Sequence, residues 1–176
     1  MSEITTEFVS IDPAGLRALA EKGKSDPSAV RTVRCRTVAE GRKYRHLNYV
    51  RDLPAHIVDE PAALLGDNTA PNPTEALLAA LGTCVAVGLQ ANAVARGWKI
   101  NAISLDLEGD INITSVWGVG DLSPKPVGLT DVRIKAHLDV DGANPKEIAE
   151  VVAHVAKWSP VFNTVQNPVR MSIESV

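Results

Sequence analysis

The chain has 176 residues, of which 45% are hydrophobic but only 4% aromatic, and a formal net charge of −3. That suits one domain, or one protomer of an oligomer, with a core built mostly of Ala, Val, Leu and Ile. The mild acidic balance and the lack of a long basic run argue against nucleic acid or an anionic membrane as partner, and two cysteines cannot make a disulfide framework.

The polar, acidic start has no basic segment leading into an apolar one. No signal peptide is therefore expected, and the cytoplasm, where thiols stay reduced, is the expected compartment. "DPAGLRALAEKGK" reads as a short amphipathic helix with Asp12 as cap and Pro13 in the first turn. "AVRTVRCRTVAE" alternates small or apolar residues with Arg and Thr, as a half-exposed strand does. Gly41 and Arg42 mark a turn, "KYRHLNYV" is a second strand and "HIVDEP" a third extended piece.

"GDNTAPNP" is dense in turn residues. A long helix follows it. Asn72 is a good N-cap, Pro73 fits the first helical position, and Glu75 stands three residues after the cap. The helix should end near Gly97, at a length of ~36 Å. "KINAISLDLEGDINI" and "TDVRIKAHLDVD" then alternate like strands, separated by the Gly/Pro-rich excursion "TSVWGVGDLSPKPVGL". "NPKEIAEVVAHVAKW" is an amphipathic helix capped by Asn144, and Ser159-Pro160 starts a short final helix. "PVRMSIESV" closes as a strand. Few βαβ units are visible, so the order of elements implies an α+β fold rather than a doubly wound sheet.

The long helix carries Cys84. Ala76, Ala80, Cys84 and Gly88 form a row of small residues four apart, while Leu77, Leu78, Leu81, Val85 and Leu89 lie on the other side. A helix apolar around its whole circumference is expected to be buried on all sides. One modest domain rarely encloses so long a helix, so a second subunit is a natural source of cover. Cys84 itself has two readings. A free cysteine usually packs as a small hydrophobe. A reactive one needs its anion, whose formation (free pKa ~8.5) must be helped by a cation or a helix end. Cys84 is mid-helix, so an arginine from elsewhere would have to serve.

"APNPTEALLAALGTC", with "DEP" and "GDNTAP" before it and "SPVFNTVQNPV" near the end, resembles the osmotically induced/organic hydroperoxide resistance (OsmC/Ohr) superfamily over about residues 30 to 176. On this basis residues 29–176 are expected to form an OsmC-like domain and residues 1–28 an N-terminal helical extension. The resemblance implies an intertwined homodimer in which curved antiparallel sheets wrap a long central helix from each protomer. It implies reduction of organic hydroperoxides by a thiolate on that helix, prepared by an arginine and a glutamate. A second cysteine then closes a disulfide, which a dithiol reductant opens. No metal or bound cofactor is implied.

Cys84 falls on the peroxidatic position, and Ser159 on that of the second cysteine. Serine forms no disulfide, but before a proline it is a ready N-cap. The family's glutamate position, ten residues before the cysteine, holds Thr74, and Glu75 is one residue off. Nine residues along a straight helix put Glu75 a half-turn and ~13 Å away from Cys84. Glu75 would thus act through an arginine or across a dimer, or be a capping residue only. The arginine is either Arg51, in "NYVRD" on the strand before the loop, or Arg42, in "EGR"; Arg31, Arg34, Arg36 and Arg45 read as a solvated strand face. Cys35 is either an exposed thiol or strand packing. Three functions follow: a thiol peroxidase resolved by external thiol, a non-catalytic or weakly catalytic protein of the same fold binding a small apolar ligand, and a structural, stress-associated dimer.

Overall fold

The computed structural model of the chain describes residues 8–113, 116–118 and 127–175. The Gly/Pro-rich excursion lies largely outside the described residues. In chain order the elements are α1 (Pro13–Ser25), β1 (Arg36–Ala39), β2 (His46–Tyr49), β3 (His56–Val58), a short 3-10 turn (Ala62–Leu64), α2 (Pro73–Ala95), β4 (Lys99–Asn112), a second 3-10 turn (Val116–Gly118), β5 (Gly128–Asp141), α3 (Pro145–Trp158) and α4 (Pro160–Gln166). The fold is α+β, with antiparallel sheets and a long apolar helix. The chain forms two compact units, residues 20–80 and the remainder, and the boundary falls inside α2 between Ala80 and Leu81.

Local chemistry accounts for the helix ends. Asp12 caps α1 by accepting from the N–H groups of Ala14 and Gly15. Asn72 and Glu75 form a reciprocal capping box on α2, each side chain bonded to the other's backbone N–H at 2.8 Å. Asn144 and Glu147 do the same on α3. At the far end of α2, Gly97 takes a left-handed φ of 73°. There Gly97 N–H bonds Val94 O and Trp98 N–H bonds Ala93 O, the double closure of a Schellman motif.

In the unit of residues 20–80, β1, β2 and β3 form an antiparallel sheet in that order, with Arg36 opposite Tyr49 and Asn48 opposite His56. In the other unit β4 and β5 pair along nearly their whole length, interrupted by register shifts at Ile100/Ala102 and Asp110/Ile111. Their inward residues alternate with exposed charged ones, as a half-buried sheet requires. Leu81, Val85 and Leu89 of α2 pack with Leu138 of β5 and with Val151 and Val155 of α3. This is the core. Length and composition alone would let α2 cross a membrane, but one side of it is built into this protein core.

Several expectations need correction. The first two strands are shorter than the alternation suggests. Residues 29–35 are exposed and unpaired in strand, so Cys35 stands one residue before β1. Arg51 is not on a strand: it follows β2 in a turn with a left-handed φ of 54°. "PVRMSIESV" forms no strand among the described residues, because nothing there supplies a ladder; Met171 and Ile173 are almost wholly exposed. On α2, Leu77 and Val87 are 41% and 58% exposed in the single chain.

Candidate functional site

Cys84 lies in the middle of α2, half-buried, on the small-residue row. The glycine at the next position of that row sets what can approach it. A Cβ built at Gly88 would stand 2.6 Å from Val155 Cγ1, closer than real side chains come. Only the missing side chain lets α3 lie so near α2 at this level. A single residue, Ser159, separates the end of α3 from the start of α4.

Ser159 is 4% exposed. Its backbone N–H closes α3 on Val155 O at 2.8 Å, and its carbonyl accepts from Asn163 N at 3.0 Å in α4. Its hydroxyl oxygen accepts from Phe162 N–H at 3.3 Å, the N-cap bond of α4. The same hydroxyl donates to Cys84 Sγ at 3.1 Å. Two residues 75 positions apart in sequence are thus in direct contact, and Ser159 is at once the expected helix cap and a polar neighbour of the thiol.

The same unit holds a cavity of about 370 Å³, lined by Leu81 of α2, by Leu129, Asp131 and Ile134 of β5, and by Phe162 and Val165 of α4; neither Cys84 nor Ser159 lines it. Its wall is mixed, apolar side chains standing alongside the polar groups of Thr130, Asp131 and Gln166. Among the described residues no group of three or more His, Cys, Asp or Glu side chains is placed to hold a metal ion.

The other expected site residues belong to the unit of residues 20–80. Glu75 is exposed and engaged in the capping box. Arg42 Nε donates to Asp67 Oδ2 at 2.6 Å, and Lys43 Nζ holds the other oxygen of that carboxylate at the same distance. These two cations keep the Asp67 carboxyl below its ordinary range, Lys43 contributing most. Arg51 is exposed and makes no hydrogen bond or ion pair among the described residues.

Arg45 departs from its expectation as a solvated residue. Its side chain is 19% exposed, pairs with Glu40, and donates to Thr69 Oγ1 at 2.6 Å. Thr69 in turn gives both its N–H (3.0 Å) and its hydroxyl (2.8 Å) to Asp59 Oδ2. Asp59 is fully buried. The Thr69 amide, then its hydroxyl and the Glu60 amide, hold the Asp59 carboxyl well below the usual carboxylate range. Burial raises Glu60 instead, with the charges of Asp59 and Glu75 adding to it, and Glu60 Oε2 is buried without a partner among the described residues. The motif "DEP…GDNTAP" is therefore a polar knot that fixes the loop before α2. Turn propensity marks the loop, but nothing local marks Arg45 as its partner.

Residues 66–174 match the family model described as OsmC-like protein. No curated protein sequence matches the chain significantly. Among solved structures, the chain is similar to an OsmC-like protein from Mycoplasma pneumoniae (18% identity, 78% of this chain and 89% of that one, TM-score 0.64). It is also similar to an OsmC-like protein of unknown function from Vibrio cholerae (12% identity, 78% and 95%, TM-score 0.65). A third is an organic hydroperoxide resistance protein from Legionella pneumophila (19% identity, 79% and 92%, TM-score 0.56). At these identities the likeness speaks for fold alone. With the family match covering most of the chain, and with its helix, sheets and capped Asn-Pro start in place, this protein belongs to the OsmC-like family.

Proposed function

We propose that the protein reduces organic hydroperoxides with Cys84 as the reacting thiol and an external thiol as reductant. The observation that carries this reading is Cys84 itself, half-buried on the long helix α2 with a hydroxyl hydrogen-bonded to its sulfur. The Cys84 thiolate would attack the distal peroxide oxygen. The S–O bond forms as the O–O bond breaks, and the leaving alkoxide takes a proton to depart as alcohol. A small-molecule or protein thiol would then attack the sulfenic sulfur, releasing water and leaving a mixed disulfide, and a second thiol would displace Cys84. Ser159 cannot take the first of these steps, so no disulfide within the chain between these positions is part of the cycle.

As the cation that would support the thiolate we favour Arg51 over Arg42. Arg42 is committed to Asp67, whereas Arg51 is unpaired among the described residues. Glu75 is assigned to capping. We further propose a homodimer of OsmC-like domains, residues 29–176, that covers the exposed apolar side of α2. The named function of the Legionella protein agrees with a role in hydroperoxide resistance. A second reading, binding of a small apolar ligand without turnover, draws on the cavity between β5 and α4.

One experiment separates them. Consumption of an alkyl hydroperoxide is followed with dithiothreitol present, for wild type and Cys84→Ser. Turnover that vanishes in Cys84→Ser supports the peroxidase. Equal, background consumption by both proteins overturns it in favour of the binding protein.

A further inference from the structure

Ser159 does more than occupy the place of a missing cysteine. A hydroxyl has one proton and two lone pairs. Here one lone pair takes the Phe162 amide, at 3.3 Å. The backbone N–H and C=O of Ser159 are used by Val155 O and Asn163 N. At 4% exposure, little water can compete for the remaining proton. The Cys84 sulfur, at 3.1 Å, receives it. A thiol sulfur is a weak acceptor, and a hydrogen bond to an ionised acceptor is roughly twice as strong as one between neutral groups. The contact therefore favours the anion over the thiol.

We infer that Ser159 is a positioning residue that directs its hydroxyl proton to Cys84 Sγ and supports the reactive thiolate, so that the joint between α3 and α4 does electrostatically what a second cysteine would do covalently. This rests on the reading of Cys84 as the reacting thiol.

Charged side chains on the surrounding elements do not take this role. α4 has no charged residue, and the only one within α2 is Glu75, at its start. On α3, Lys157 lies over the Trp158 ring and His154 beside it, while Lys146, Glu147 and Glu150 are exposed. On β4 and β5, Arg133 is paired with Asp110 and Glu108, and Lys99 with Asp141. Asp106, Asp131, Lys135, His137 and Asp139 are exposed, and of these Asp131 lines the cavity. Among the described charged residues of this unit, none makes a hydrogen bond or ion pair to Cys84.

The test is alkylation of Cys84 by iodoacetamide as a function of pH, in a Cys35→Ser background so that the exposed Cys35 does not contribute. Wild type is compared with Ser159→Ala and Ser159→Gly. Glycine keeps most of an N-cap's stabilisation while removing the hydroxyl. At pH 7 both variants should react about tenfold more slowly than wild type, equivalent to about 1.4 kcal/mol. The three rates should converge at high pH, where every thiol is ionised. Ser159→Gly reacting as fast as wild type at pH 7 would overturn the inference. So would a deficit of the same size at every pH, which would mark altered access. The measurement needs no peroxide. A hydroxyl-dependent Cys84 that fails to consume hydroperoxide would sink the peroxidase reading and leave this one standing.

Discussion

Gly88→Ala tests whether the approach of α3 to α2 places Ser159 beside the sulfur. On an open helix this change stabilises by about 1 kcal/mol, because glycine loses the most backbone freedom on folding. Here the new methyl would meet Val155 Cγ1 at 2.6 Å and Cγ2 at 3.4 Å. Val155 is 2% exposed, and a β-branched side chain in a helix has one strongly preferred rotamer, so it cannot swing aside. Overpacking of this kind costs about 1–3 kcal/mol. The steric effect is the larger, and Gly88→Ala should be destabilising by up to about 2 kcal/mol. Val155→Ala, which removes both offending methyls, should cost about 2 kcal/mol alone through lost burial and the space left behind. In that background Gly88→Ala should reverse sign and stabilise. Urea unfolding of the four proteins at one fixed concentration measures this cycle. Gly88→Ala should also slow Cys84 alkylation at neutral pH, since the displaced helix carries Ser159. If Gly88→Ala stabilises both backgrounds equally by about 1 kcal/mol, the close packing of the two helices at this level is wrong, and the placement of Ser159 falls with it.

Sedimentation at micromolar concentration should give about twice the 18.8 kDa chain mass; a folded monomer would refute the proposed cover for α2. Asp59→Asn should destabilise the protein at neutral pH. The carboxyl of Asp59 is held below its ordinary value of 3.8 in the folded state, so its contribution is complete above that pH and is lost as pH falls below it. The stability gap between wild type and Asp59→Asn should accordingly narrow below about pH 4, and a gap independent of pH would disprove the role of the charge. Under excess hydroperoxide, wild-type Cys84 should proceed to sulfinic acid, while Ser159→Cys should instead trap a disulfide with Cys84. Mass spectrometry distinguishes these, and a Cys35–Cys84 disulfide in wild type would show that the resolving thiol lies elsewhere.

Much of this architecture is legible in the residues because its signals are local. Asn72, Pro73 and Glu75 specify the start of α2 within four positions, as Asn144, Pro145 and Glu147 do for α3. Two long alternating runs specify β4 and β5. What fails depends on contacts distant in sequence. Arg45 carries no mark of its bond to Thr69, 24 residues on. Arg51 alternates correctly for a strand yet turns out of it, and the C-terminal run has the composition of a strand without a ladder to join. The site divides in the same way. The resemblance singled out Cys84 and Ser159, but a residue count between them cannot give their distance. That depends on the missing side chain of Gly88, four residues on from Cys84 along the same row of α2.

Ser159 is a joint one residue long. It terminates α3, initiates α4 and touches the sulfur, all through its own atoms. A gap of 3.1 Å leaves no room for an added oxygen. Any such addition on that side of Cys84 Sγ must push on the pivot about which α4 would swing, so a change of one atom at the sulfur acts with the lever arm of a whole helix. The segment after Gln166, which α4 carries, is exposed over most of its described length. Its rate of cleavage by a protease in the reduced and the oxidised protein would read the angle of that lever directly, and equal rates would mean that the joint does not turn.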